Sequence, residues 1–421
     1  MKEKRENKKI LIYLTGRADS PFFYNEIESL VQTFDKVYVI TYYDKTDTAK
    51  CIEHKYNITI TVIKMGLRLL IYSPYIIRLL FRKNIREEFR YISTKYHGRS
   101  KIFCIAYALY YMLFSIGVTQ RVKRILKDNA GCDTYLYSFW MSRTAFALAM
   151  MEREGCSNIR IKVSRAHGYD LYEERNKINY LPFKKLIAQR VDKILFISDN
   201  GKKYFQQYLD NRNIQANKLE VIHMGVDNSK YIKKYRLKDT IVIASCSSVI
   251  KIKRLDMIIF FLQIIRLKAK IRWLHIGDGS QMKEIQAMAA RELTDVQFQF
   301  LGNVDNKKIA DIYRKEDVDF FINMSDSEGI PVSIMEAFSS GIPAIARNVG
   351  GISEIVNNTN GFLLESLDTK YLEDTAEKIV KSFQEKERYA LLSKNALTMQ
   401  RQNFERETNN LKLIKAIKGE S

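Results

Sequence analysis

Residues 318–346 read VDFFINMSDSEGIPVSIMEAFSSGIPAIA. The apolar run Val318–Ile322 has the length and composition of a buried strand. A polar loop containing Ser325 and Glu328 follows it. Gly329-Ile330-Pro331 then turns into a short apolar helix carrying Met335, Ala337 and Phe338, which Gly341 stops. A second strand, Ala344–Ala346, comes next. Strand, loop, helix and parallel strand make up the repeating unit of a doubly wound α/β fold. Within it Glu328 falls in the loop leaving the strand, and Glu336 in the first two turns of the helix. Between them the unpaired backbone N–H groups and the dipole of the helix start form an anion site. Ionised carboxylates only accept hydrogen bonds. Two of them around an anion site therefore suit a ligand with a phosphate in the middle and hydroxyls at both ends.

The same alternation extends in both directions. Upstream in the second half come strands Ile241–Ser245, Arg272–Ile276 and Gln297–Leu301, separated by helices Asp256–Leu267, Gln281–Glu292 and Lys307–Glu316. Downstream, Gly361–Leu364 closes the sheet, and helical stretches 371–386 and 389–417 end the chain. The first half offers strands Lys9–Leu14, Val37–Thr41, Thr59–Ile63, Thr134–Ser138, Ile159–Val163, Lys193–Ser198 and Leu219–His223. Helices fit at Asn25–Phe34, Arg143–Glu154, Lys184–Arg190 and Lys202–Leu209, the last capped by Asn200. From Met224 to about Asp239 the chain is polar and basic with no periodic apolar face, which marks a linker. The reading is two Rossmann-like domains, 1–224 and 240–399, with the terminal helix of about 400–417 returning to the first.

Open α/β sheets bind ligands outside the carboxyl ends of their strands. In the second half four consecutive strands end in polar clusters: Ser245–Lys253, Gly277-Asp278-Gly279, Gly302-Asn303-Val304 and Ser325–Glu328. One Gly-Asp-Gly is ordinarily a turn; four clusters in succession describe a site. Asp317-Val318-Asp319 has the spelling of a metal-binding acid pair, but it straddles a strand's start, away from that edge, and reads as structural.

Bulk properties narrow the class. The chain has 421 residues, 46% of them hydrophobic and 12% aromatic, the composition of a globular protein. Its five cysteines are scattered and never form C-x-x-C, so free thiols of a reducing compartment are expected, without a zinc site. The N-terminus is charged and runs straight into a strand, unlike a signal peptide. The longest apolar run, Ile102–Val118, is seventeen residues, short of the roughly twenty that span a bilayer, and reads as a buried or interfacial helix. The net charge is +21. Residues 61–101 hold ten Lys/Arg against Glu87 and Glu88, interleaved with large apolar residues. That pattern describes either a segment docking on an anionic membrane surface or a core-packing helix pair with a basic outer face. Zinc-finger spacing, aromatic RNP-like strands and basic zippers are lacking, so nucleic acid is not expected as a partner.

Glu328 with Glu336, the Gly277-Asp278-Gly279 turn and Gly350-Gly351-Ile352-Ser353-Glu354 resemble glycosyltransferase family 4, most closely its bacterial capsular, exopolysaccharide and lipopolysaccharide subgroup. The resemblance is dense over about 241–365 and looser at Pro21–Ile27, Tyr137–Trp140, Arg165–Asp170 and Ile197–Gly201. It implies the two-Rossmann GT-B fold facing across a cleft, and retaining, metal-independent transfer from a nucleotide sugar without a cofactor. By that resemblance Glu328 contacts the donor sugar, with backbone from Gly329, Ile330 and Pro331 beside it, and Glu336 accepts from the ribose hydroxyls. Lys253 matches the lysine that faces the diphosphate, whereas the usual early arginine falls on Ser248. Arg254 or Lys251 is left as the second cation. Gly277, Asp278 and Gly279 line the donor site, and the backbone of Val304 pairs with the base. His167, in Arg165-Ala166-His167-Gly168-Tyr169-Asp170, matches the histidine that meets donor sugar or phosphate. Gly16, Arg17 and Asp170 fall on the acceptor side, while Asn25-Glu26 reads as helix N-terminal chemistry.

The expected partners are therefore a nucleotide sugar and a lipid-linked or glycan acceptor, with the protein cytoplasmic and peripheral at the inner membrane face. A nucleotide-sugar epimerase and a non-catalytic membrane scaffold are the alternative classes.

Overall fold

The computed structural model describes residues 7–42, 46–63, 73–152, 158–208 and 216–420. The chain divides into two compact units, one of residues 1–222 with 410–421 and one of residues 223–409. Each is built on a parallel sheet. The first holds β1 (Lys9–Leu14), β2 (Lys36–Thr41), β3 (Thr59–Val62), β4 (Asp133–Ser138), β5 (Ile159–Ala166), β6 (Lys193–Phe196) and β7 (Leu219–Val221), in the order β3-β2-β1-β4-β5-β6-β7. The second holds β8 (Thr240–Cys246), β9 (Lys270–Ile276), β10 (Gln297–Phe300), β11 (Phe320–Asn323), β12 (Ala344–Arg347) and β13 (Gly361–Leu364), in the order β10-β9-β8-β11-β12-β13. Both orders reverse after their first strand. This creates a topological switch point between β1 and β4 in one sheet and between β8 and β11 in the other.

The central strands are apolar on both faces because helices cover both faces. Ile10–Leu14 of β1 and Ile241–Ala244 of β8 are buried throughout. In the first unit the 31-residue helix Gly98–Asp128 packs a stripe of Cys104, Ala108, Tyr111, Met112, Ser115, Val118 and Val122 into the core. The helix is long and apolar enough to cross a membrane by length and composition, with 44% of its most apolar window buried against the protein. The expected run Ile102–Val118 is thus the middle of a longer core helix, with Ile102 and Phe103 left exposed at its start.

Within the basic segment, 64–72 lies outside the described residues. The remainder forms helices Ser73–Leu80 and Lys83–Lys95. Ile85 and Ile92 are buried, and Ile76, Leu79, Phe89 and Tyr91 pack on the core. The outer side carries Tyr75, Ile77, Leu80 and Phe81 in the open, beside exposed Arg78, Lys83 and Arg86. The core-packing reading holds for the inner face, with a basic and apolar outer face.

Local starts differ from expectation where a cap was misjudged. The first helix begins at Pro21, four residues early, because Ser20 accepts from the N–H of Phe23 and Pro21 fixes the first turn. Glu26 consequently lies a turn inside and is buried. It accepts from Arg165 at 2.6 Å and from Tyr13 and Tyr137 at 3.2 and 3.3 Å. Its role is a buried ion pair, not helix N-terminal chemistry. Likewise the helix Asp199–Tyr208 is capped by Ser198, whose Oγ accepts from Gly201 N at 3.0 Å, while Asn200 accepts from the Tyr172 hydroxyl.

Residues 225–239 belong to the second unit. Lys233 and Lys238 each bridge Asp317 and Asp319 at 2.6–2.9 Å, with the Lys233 side chain fully sequestered. The Asp-x-Asp spelling is thereby occupied by two lysines. At the C-terminus the expected single helix is two, Lys386–Asn403 and Arg406–Lys418. Between them Phe404 and Arg406 exchange backbone hydrogen bonds with Val226. Past the break, Asn410 donates to Asn25 O and Ser29 Oγ in the first unit.

Candidate active site

The expected donor residues gather at the carboxyl edge of the second sheet. β8 runs into the loop 247–254 and β11 into the loop 324–331, so their ends flank the switch point. Lys253 Nζ donates to Glu328 Oε1 across it at 2.6 Å, and Asp326 N donates to Ile252 O at 2.9 Å. Glu328 is 8% exposed and also faces the Asn323 amide at 3.4 Å. Three residues beyond it the helix Val332–Ser339 starts at Pro331 with no side chain capping its N-terminus, which leaves its dipole facing the site.

Two glycine pairs let loops approach closely. Gly277 has φ +132°, and a Cβ there would lie 1.9 Å from Ser247 O; one on Gly279 would lie 2.4 Å from Val249 O. The Gly-Asp-Gly turn therefore lies directly on the loop carrying Ser248, joined by Val249 N to Asp278 O at 3.0 Å. Gly350, at φ +57°, would place a Cβ 1.9 Å from Glu328 O. Gly351 N donates to Gly329 O at 2.9 Å. Only glycine permits such contact. The donor-side backbone is thus one packed surface of four loops. Val304 follows β10, whose end joins this surface through Gly277 N to Gly302 O at 2.8 Å.

Glu336 lies on the second turn of its helix and accepts from Asn306 Nδ2 at 3.5 Å. Burial without a cation pushes its carboxyl up to about 7. Arg254 donates to Asp256 and Asp326, and Arg347, at the end of β12, also pairs with Asp326. Arg254 is thus already held by two carboxylates, while Lys251 and Ser248 are exposed. Arg347 and Asn323 belong to the site and were not anticipated: each is a lone polar residue at a strand end without a motif around it.

His275 was likewise unremarkable in sequence. It is fully buried near the end of β9, two residues before Gly277. Trp273 Nε1 donates to Ser245 Oγ at 2.9 Å, and Ser245 Oγ lies 2.9 Å from His275 Nδ1. Indole nitrogen only donates, so the hydroxyl proton is best directed to Nδ1, which leaves the ring proton on Nε2. Burial lowers the imidazole to about 4 and keeps it neutral.

In the first unit His167 follows β5 and lies inside a cluster of rings, 4.4 Å from both Phe139 and Trp140 between centroids. Desolvation lowers its pKa and keeps it neutral. Asp170 is completely buried and accepts from Met141 N at 2.7 Å and His167 N at 2.9 Å, tying the loops after β4 and β5 together. With its carboxyl buried, it holds those two loops together. Gly16 is buried, its carbonyl accepting from Thr41 Oγ1, and Arg17 pairs side-on with Asp19 through two bonds of 2.7 Å.

Two parallel-sheet Rossmann-like domains of this order define the GT-B class of glycosyltransferase fold. Residues 227–399, which carry every donor-side residue above, match the family described as glycosyl transferases group 1. Among curated relatives, the O-antigen biosynthesis glycosyltransferase WbnH of Escherichia coli is 34% identical over 116 residues, 28% of this chain and 31% of the relative. The N-acetyl-alpha-D-glucosaminyl L-malate synthase of Bacillus anthracis is 25% identical over 38% of this chain and 42% of its own. The chain therefore matches less than half the length of these relatives. Among solved structures, Anabaena HepE in complex with UDP-glucose superposes with a TM-score of 0.64 at 17% identity, covering 98% of this chain and 100% of that one. The lipopolysaccharide outer core galactosyltransferase WaaB gives 0.68 at 15%, covering 97% and 99%. At these identities the likeness is one of fold.

Proposed function

We propose that the chain is a retaining glycosyltransferase that moves a sugar from a nucleotide-sugar donor to a lipid-linked or polysaccharide acceptor in cell-surface polysaccharide synthesis. The observation that carries this reading is the Lys253–Glu328 bridge across the β8/β11 switch point, beside an uncapped helix N-terminus. A diphosphate arriving there meets the lysine and the helix dipole, and Lys253 turns from Glu328 to phosphate. Glu328 is then left to accept from a sugar hydroxyl, and Glu336, which has no cation beside it, accepts from the ribose diol. Negative charge growing on the leaving diphosphate is stabilised by Lys253 and the N–H groups. This supports metal-independent chemistry, as does the occupation of Asp317 and Asp319 by lysines. Front-face attack, with the leaving phosphate taking the acceptor's proton, accounts for retention without a protein nucleophile. The exposed apolar and basic side of helices Ser73–Leu80 and Lys83–Lys95 supports peripheral attachment to an anionic membrane surface, at the cytoplasmic face.

The test is to incubate the protein with UDP-, GDP- and ADP-sugars and a membrane glycolipid extract, with and without EDTA, and to read the product by NMR. The reading expects transfer that EDTA leaves unchanged and an anomeric configuration matching the donor. An inverted product overturns retention, and release of free epimerised sugar assigns the epimerase class instead.

A further inference from the structure

The rings at the switch point of the first sheet form more than a core. Phe22 opens the first helix, Phe139 and Trp140 follow β4, and His167 and Tyr169 follow β5. Neighbouring centroids lie 6.2 Å apart for Phe22–Phe139, 4.9 Å for Phe139–Trp140 and 4.7 Å for Trp140–Tyr169. The inner members, Phe139 and His167, are buried. Phe22 and Trp140 are half-buried, and Tyr169 is 49% exposed. The ring chain therefore reaches from the core to solvent at the edge where an open α/β sheet receives its ligand. Asp170 clamps the two loops that present it.

Polar capacity lies unused beside these rings. Ser142 Oγ and both ring nitrogens of His167 are buried and lack a hydrogen-bond partner; the nearest acid oxygen to His167 Nδ1 is Asp170 Oδ2 at 3.8 Å. Buried polar atoms are normally paired; the His167 nitrogens are those expected to meet the donor, which leaves the unpaired Ser142 Oγ, two residues past Trp140, to point to a ligand that brings hydroxyls. A pyranose has that chemistry: one face of C–H bonds that lies on an aromatic ring, and a rim of donors and acceptors. An alkyl chain would cover the rings and leave Ser142 unmet. A bare phosphate would seek a cation such as Arg175, which lies against Gly168, and would leave the ring faces uncovered.

We propose that Trp140 and Tyr169, backed by Phe22 and Phe139, seat a pyranose ring of the acceptor, so that the acceptor is a glycan end and not a bare lipid phosphate. This rests on the glycosyltransferase reading above. The test is saturation-transfer NMR on the full chain, with methyl hexopyranosides and methyl N-acetylhexosaminides as glycan probes and farnesyl phosphate as the lipid-phosphate probe. Variants are Trp140→Leu, Trp140→Phe and Tyr169→Leu. At least one glycoside is expected to receive saturation on its C–H protons. Its affinity should fall about tenfold in Trp140→Leu and Tyr169→Leu and recover in Trp140→Phe. Nucleotide-sugar affinity should be unchanged in Tyr169→Leu, which also shows that this variant is folded. The proposal is overturned if no glycoside binds, if binding ignores both leucine variants, or if farnesyl phosphate alone binds and is lost in Trp140→Leu. A wild type that binds glycosides but no nucleotide sugar would instead sink the transferase reading and leave the seat standing.

Discussion

Glu336 carries the clearest residue-scale consequence. Its carboxyl is raised from 4.5 to about 7 by burial alone, so in the free protein the protonated form is the better fit. A folded value above the unfolded one gives stability that is full below about pH 4.5 and is lost as pH rises through 7. The proposed ribose contact needs the opposite form, because only the carboxylate accepts from both hydroxyls. Donor affinity should therefore fall about tenfold per unit as pH drops below 7, with proton release on binding between buffers of different ionisation enthalpy. Glu336→Gln should melt higher than wild type at pH 8, lose that advantage near pH 4.5, and bind donor weakly without pH dependence. Equal pH profiles for the two proteins would remove Glu336 from the ribose contact. The pair Glu328 and Glu336 was legible in sequence because its spacing and the Gly-Ile-Pro between them are local. The Lys253–Glu328 bridge, Asn323, Arg347 and the Trp273–Ser245–His275 chain were not, since each is made by partners from different strands or loops.

At the scale of elements, the donor surface depends on backbone approach more than on side chains. Gly350→Ala would set a Cβ 1.9 Å from Glu328 O at a positive φ, so the loop must move and Glu328 with it. The expected result is a fall of at least about a hundredfold in kcat/KM, against a drop of a few degrees in melting temperature. Gly302→Ala, also at a positive φ (+66°) but with nothing within 4 Å of its Cβ, should carry backbone strain alone and leave kcat/KM closer to wild type than Gly350→Ala. Equal losses in the two would remove the close packing from the account. Strands were readable because apolar runs end in Gly, Asp or Asn at the crevice edge. β11 nonetheless starts at Phe320, two residues later than the apolar pattern, since the left-handed turn at Asp317 delays it. The break at Phe404–Glu405 has neither Gly nor Pro. It comes from backbone bonds to Val226 and from Glu405 capping Thr408 N at 2.6 Å, and such long-range pairing leaves no local trace.

For the whole molecule, the charge of +21 and the open face around Phe81 belong together. In vesicle flotation the protein should bind membranes containing anionic lipid and release as salt rises, and Arg78→Glu with Phe81→Asp should abolish binding. Binding that ignores lipid charge and salt would remove the electrostatic attachment. The two-domain α/β architecture followed from alternating strands and helices, while the path of the C-terminal helix into the first unit became definite only through Asn410 and its partners. Central to the account is that the β8/β11 switch point holds a nucleotide sugar between Lys253 and Glu336. The most direct measurement is calorimetric titration of UDP-, GDP- and ADP-sugars into wild type and Lys253→Ala at pH 8. One donor should bind wild type and lose at least about thirtyfold in affinity in the variant; no binding by wild type, or equal binding by both proteins, would contradict it.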